Sequence, residues 1–200
     1  MKNNNRKVTK SKKSLKDALL SLMKKKDFNK ITITDLINHA DLNRGTFYKH
    51  YQTKEELLNE IIDEVIEDLI HSFREPYLHT SKFFIRELTS STIKIFKHVE
   101  AYSNFYTTII NSNALPGFQN KICDVLKEVA QHDLEIVNDQ NKNIDPVLLS
   151  SYHAYALFGL IVEWVKMDFK YSPNYMAKQL IEILNYDSIK SSRNIIKSNL

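Results

Sequence analysis

The segment Asn43-Arg44-Gly45-Thr46-Phe47-Tyr48-Lys49-His50-Tyr51 concentrates side chains able to read a nucleic acid. Arg44 can donate two hydrogen bonds to guanine O6 and N7. Thr46, Tyr48, His50 and Tyr51 carry neutral donors suited to phosphate oxygens. Gly45 is costly inside a helix, by about 1 kcal/mol relative to Ala. Either close approach to a base pair or packing within the protein accounts for it. Lys54 falls at the first position of the next helix, where a cation opposes the positive end of the macrodipole. A phosphate bound there reverses the sign of that interaction; a lysine extended into water is the plainer alternative.

Short helices must hold these residues. Leu15, Ala18, Leu19, Leu22 and Met23 recur on one face, which predicts a helix over about residues 10–26. Thr32 with Asp35 makes a capping box that opens a short helix burying Leu36, Ile37 and Ala40. After Asp41-Leu42, Asn43 caps a second short helix reaching about His50. Two short helices behind a supporting one form a helix-turn-helix, whose second helix enters the major groove. Thr53 with Glu56 then caps a long helix with Leu57, Ile61, Val65, Leu69 and Phe73 on its core side, ending before Pro76.

The rest reads as further helices. Phe84, Leu88, Thr92, Ile95, Phe96 and Val99 mark one, and residues 102–110 the next. Leu115-Pro116-Gly117 interrupts before a helix from Phe118 to Val137, and Asn138–Asn143 reads as a loop. Asp145-Pro146 and Ser172-Pro173 each give a cap followed by Pro, opening helices over about 146–169 and 173–185. The expected class is all-α, with about nine helices. The expected divisions are a basic tail (1–9), a helix-turn-helix domain (10–58), a larger helical domain (59–186) and a C-terminal tail (187–200).

Charge follows the same division. Residues 1–54 carry 14 Lys and Arg against 4 Asp and Glu, or +10, while residues 55–200 carry −6. A basic front end suits a polyanion-binding module, although a solvated lysine-rich tail has the same charge. Three scattered glycines cannot build a phosphate-cradling loop or a dinucleotide turn. The lone Cys123 allows no internal disulfide, and the histidines lack metal-ligand spacing, so no metal or cofactor is expected. No catalytic constellation stands out, so no enzyme is expected. The sequence shows neither a secretory signal nor an apolar run near membrane-span length, and is read as cytoplasmic.

Residues 10–58 resemble the TetR family of bacterial transcriptional regulators. The resemblance is carried by Ile31–Ile37, by Leu42–Tyr51 and by Thr53-Lys54-Glu55-Glu56-Leu57-Leu58. It implies an all-α homodimer on a palindromic operator, usually repressing, with a ligand in the C-terminal domain that spreads the two heads. The DNA-contacting positions it implies are Thr32, Thr34, Asn43, Arg44, Gly45, Thr46, Tyr48, His50, Tyr51 and Lys54. Asp41 stands where the family's turn usually has glycine, and aspartate tolerates the left-handed conformation that turn needs.

The body is rich in aromatics. Phe84, Tyr102, Phe105, Tyr106, Tyr155 and Trp164 are candidates to line an apolar cavity for a small-molecule effector, with simple core as the alternative. Helix 146–169 is apolar nearly all round, so it must face its own core and something else. With helix 173–185 it would make a four-helix dimer interface, where Ala156 and Gly159 allow close approach. The expected function is a ligand-responsive transcriptional repressor that binds double-stranded DNA. An activator, or an interaction module that recruits a partner through the helical body, are the alternatives.

Overall fold

The computed structural model describes residues 2–75, 78, 89–90, 93–112, 114–133 and 144–185, without the side chains of residues 2–7 and Leu115. The described residues form nine α-helices, one 3-10 turn at Phe28–Lys30 and no strand. The helices are α1 (Lys2–Met23), α2 (Ile33–Ala40), α3 (Arg44–Tyr48), α4 (Lys54–Arg74), α5 (Ile95–Ala101), α6 (Ser103–Ile110), α7 (Leu115–Asp133), α8 (Pro146–Lys166) and α9 (Pro173–Leu184).

The amphipathic stripes bury as their spacing requires. Leu15, Ala18, Leu19 and Met23 of α1 meet Leu36 of α2 and Phe47 of α3 in the head. Leu57, Ile61, Val65 and Leu69 of α4 continue that core into the body. Ion pairs bind α1 to α4 from outside: Lys12 to Glu60 at 2.9 Å, and Lys16 to both Glu60 (2.7 Å) and Glu64 (2.6 Å). Burial alone would raise the Glu60 pKa, but the ammonium groups of Lys16 and Lys12 outweigh it and hold the carboxyl below its ordinary range. In the body α7 runs against α8, α6 packs on α8, and α5 on α9. Helix α4 packs on both α5 and α7, which makes it the shared strut of head and body.

Several boundaries differ from the sequence reading. Helix α1 starts at Lys2, not near residue 10, because nothing in residues 2–9 breaks a helix once the amphipathic part has nucleated it. The expected basic tail is therefore helical. Helix α7 starts at Leu115, since a proline in the first turn costs no hydrogen bond. Helix α8 ends at Lys166, three residues early. Asp168 and Phe169 turn left-handed there (φ 52° and 54°), and Phe169 folds back onto the Trp164 ring at 5.0 Å. By length and composition alone α8 could cross a membrane, with a mean hydropathy of 1.2, against the expectation of no such run; one side of it packs on α6 and α7. The helix expected from Phe84 through Val99 is helical only from Ile95, with the described residues 89–90 and 93–94 before it not helical; Phe84, Leu88 and Thr92, the loop 138–143 and the tail 187–200 lie outside the described residues.

Candidate nucleic-acid interface

Each element of the helix-turn-helix is fixed by a local device. Thr32 Oγ1 accepts from Asp35 N (3.1 Å), and the Thr32 N–H donates to Asp35 Oδ2 (2.8 Å), closing the expected capping box of α2. The Lys26 ammonium, 2.7 Å from Asp35, is the main reason that this carboxyl lies far below its ordinary range, helped by the bonds from Thr32. Asp41 ends α2 in the left-handed conformation (φ 52°, ψ 51°), so the turn forms without glycine. Asn43 Oδ1 then caps α3, accepting from Thr46 N at 2.8 Å and from Thr46 Oγ1 at 3.0 Å.

The result is a helix braced from behind and open in front. Phe47 is fully buried, while Asn43, Arg44, Gly45 and Tyr48 face solvent with Thr32 and Thr34 of α2. The Arg44 guanidinium lies 5.6 Å from the Tyr48 ring centroid, and its Nη2 donates to the Tyr48 hydroxyl at 3.3 Å. That contact pre-orients the fork that would meet a base edge. A Cβ on Gly45 would meet only Asn43 Oδ1, at an ordinary 3.4 Å, and its φ is not positive. Packing inside the protein therefore does not explain this glycine.

His50 sits at the α1 junction, where its Nε2 lies 2.8 Å from Ser11 Oγ. Since Ser11 Oγ donates to Val8 O, the imidazole is the donor in that pair. Burial first, then the Lys12 and Lys49 charges, lower the His50 pKa. The neutral ring therefore reinforces the hold of α1 on the end of α3.

Two of the expected DNA-contacting residues are placed differently. Tyr51 is 3% exposed, packed on Phe47, with its hydroxyl enclosed and the Lys12 ammonium 5.3 Å from its ring centroid. It is part of the head core, because the turn after α3 rotates it inward. Lys54 does not reach outward. Its Nζ donates to the carbonyls of Phe28 (2.8 Å), Asn29 (3.1 Å) and Ile31 (2.8 Å), and sits 4.7 Å from the Phe28 ring centroid. All three ammonium protons are engaged within the chain. The carbonyl end of the 3-10 turn offsets the macrodipole that made a lysine at this position look unfavourable. This contact spans 23 to 26 residues, and no local spacing in the sequence announces it.

The described body aromatics pack against one another. Trp164 is 1% exposed, with Phe96 against it at 5.7 Å and its Nε1 donating to Tyr171 O at 2.9 Å. Phe105, Tyr106, Phe118 and Phe158 form an edge-to-face chain with centroids 5.4–6.0 Å apart. Tyr102 is half-buried with its ring on His98, Tyr155 is exposed, and Phe84 lies outside the described residues. The candidate effector-lining set thus divides into core and surface. Two shallow concavities on the head, between α1 and α2 and beside the α2–α3 turn, open to solvent. No group of three or more potential metal ligands gathers among the described residues. Cys123 is buried, and burial pushes its thiol up to about 11, which suits a small core residue.

Two family models match the chain. Residues 15–61 match the bacterial regulatory proteins of the tetR family, and residues 86–186 match a transcriptional regulator C-terminal region. The uncharacterized HTH-type transcriptional regulator YxbF of Bacillus subtilis is 21% identical over 174 residues, which is 86% of this chain and 44% of that protein. The chain thus spans under half the length of that relative. A TetR transcriptional regulator from Streptococcus agalactiae shares the fold with a TM-score of 0.60 at 23% identity, covering 90% of this chain and 97% of that one. The dihydroxyacetone kinase operon activator DhaS shares it at 0.57 and 16% identity, covering 87% and 93%.

Proposed function

Because the chain belongs to the TetR family of bacterial transcriptional regulators, we propose that it binds a palindromic operator as a homodimer and represses from it. The observation that carries the reading is the exposed α3 face, where Arg44, Gly45 and Tyr48 stand clear of the protein over a buried Phe47. Arg44 reads guanine, Gly45 lets the backbone approach the base pairs, and the Tyr48 hydroxyl, the Thr34 hydroxyl and the Asn43 amide hold the phosphates, while the donors of Thr32, Thr46 and His50 are spent on capping and on Ser11. The head, residues 10–58, is the DNA-reading unit, and residues 59–186 are the regulatory and dimerising unit.

Dimerisation runs through α8 and α9. Leu148 (69% exposed), Tyr152 (68%) and Tyr155 (44%) share a solvent-facing stripe of α8 with Ala156 and Gly159, and α9 adds Tyr175 and Ile183. No charged side chain lies on α8 before Glu163. A Cβ on Gly159 would meet nothing within 4 Å. An exposed glycine in mid-helix without a reason inside its own chain fits close approach by a second copy.

Control of repression by a small molecule in the body belongs to the same proposal. The packed aromatics favour a second input, a partner protein recruited on the helical body. The likeness of fold to a protein described as an operon activator keeps activation as the second reading of the output. Binding-site selection with the purified protein, followed by footprinting and a reporter driven from the selected site, tests operator binding and the direction of control. The expected result is an enriched palindrome with half-sites about one helical turn apart or a multiple of it, and reporter output that rises when the protein is removed. No enrichment defeats the operator reading, and output that falls on removal makes the protein an activator.

A further inference from the structure

One polar cluster outside the DNA-reading face joins three helices where the head meets the body. His98 of α5 is 4% exposed. Its Nδ1 lies 2.6 Å from Asp68 Oδ2 on α4, and its Nε2 lies 3.0 Å from the Tyr106 hydroxyl on α6. Tyr102, between α5 and α6, lays its ring on the imidazole at 4.7 Å. Asp68 is half-exposed, while Tyr106 is fully buried. The cluster therefore has one end in water and the other in the core.

A neutral imidazole satisfies this geometry. Nδ1–H donates to Asp68, and Nε2 accepts from the Tyr106 hydroxyl, so every buried polar atom has a partner. A proton added at Nε2 turns that nitrogen into a donor to the Tyr106 oxygen, so the buried O–H loses its acceptor, which is costly. Burial lowers the His98 pKa and outweighs the opposing pull of Asp68. Among the described residues, the other charged groups around the cluster include Glu64 on α4, which acts on Tyr102 and is paired with Lys16 of α1, and Lys94, Lys97 and Glu100 on α5 itself. Helix α9 also packs on α5 but buries only Met176 and Ala177, leaving Lys178 and Glu182 exposed. Among the described residues, Asp68 is the carboxylate bonded to the ring.

We propose that His98, acting through Asp68 and Tyr106, is a positioning residue that fixes the tilt of α4 and hence of the DNA-reading head, and that a proton taken up at Nε2 releases it and weakens operator binding. The inference rests on the operator-binding reading above. Helix α4 begins at Lys54, which holds the segment entering α2, so a change at Asp68 reaches the head along one rigid element. The proton comes from solvent. No bond other than N–H forms, and the Tyr106 O–H···N hydrogen bond is the one lost.

The test is operator affinity by fluorescence anisotropy from about pH 8 to about pH 5.5, for the wild type and three variants. The wild type should lose about fivefold or more in affinity on acidification. Tyr106→Phe should shift the midpoint, because the hydroxyl that bonds Nε2 in either protonation state is gone. Asp68→Asn, a change at a half-exposed side chain, should move it to lower pH by removing the carboxylate that favours the imidazolium. His98→Gln should abolish this step. A uniform fall in affinity with unmoved midpoints would mark the cluster as merely structural and overturn the proposal. Should no DNA bind at any pH, the operator reading fails on its own. The latch is then judged by hydrogen exchange of α4 across the His98 titration followed by NMR, where no change in exchange overturns it.

Discussion

At Gly45 and Lys54 the expected costs of substitution separate DNA recognition from stability. Gly45 sits in an exposed helix where a Cβ meets nothing closer than 3.4 Å. Gly45→Ala should therefore raise folding stability by up to about 1 kcal/mol, while lowering operator affinity by about tenfold or more. Thermal unfolding and anisotropy measured on the same variant check both halves. Arg44→Ala should cost about 1–3 kcal/mol and relax one position of each half-site, read by repeating the site selection. Lys54→Met makes a different case. A phosphate-binding lysine would flatten the salt dependence by about one unit per subunit. Since the ammonium instead holds three carbonyls of residues 28–31, the variant should lose affinity with the salt slope unchanged.

Helix ends and helix pairs set the response to acid. Burial holds His98 below its ordinary pKa, as it does His153 and, with two lysine charges, His50. A histidine with a lowered folded-state pKa binds fewer protons folded than unfolded, so its contribution is intact at higher pH. That contribution is lost as pH falls through the unfolded value of about 6.5 toward the folded one. Asp35 and Glu60 are held low by Lys26 and by the Lys16–Lys12 pair, so their contribution persists above about pH 4 and is lost below it. Urea unfolding should therefore show two separate declines on acidification, and His98→Gln should flatten the upper one. A single decline confined to the carboxylate range would contradict the assignment.

For the whole molecule the decisive surface is the uncharged stripe of α8. Gly159→Leu adds a good helix former at a position open to solvent in the single chain. Helix content should survive, while a side chain forced into a close crossing costs about 1–3 kcal/mol of dimer stability. Sedimentation should show dissociation at concentrations where the wild type stays paired, together with loss of the symmetric footprint. A variant that remains dimeric would move the interface away from this stripe.

The all-α class, the order of the helices and the whole frame of the reading head were legible in the sequence because their causes are local. Thr32 with Asp35, Asn43 before α3 and Thr53 before α4 are caps set within four residues, and amphipathic spacing settles which faces are buried. Asp41 could be trusted to turn the chain for the same reason. What the chain alone left open depends on distant partners. Tyr51 and Tyr48, three residues apart, have opposite fates because only the former turns into the head core. Lys54 looks like a free cation until residues 28–31 are brought beside it. The aromatics of α5, α6 and α8 have the composition of a cavity, but which of them meet each other edge to face is set by how those helices pack. His98 carries no signal in its own neighbourhood, since Asp68 is thirty residues away. Propensity and capping act along the chain, whereas burial and hydrogen-bond satisfaction are decided by which helices meet.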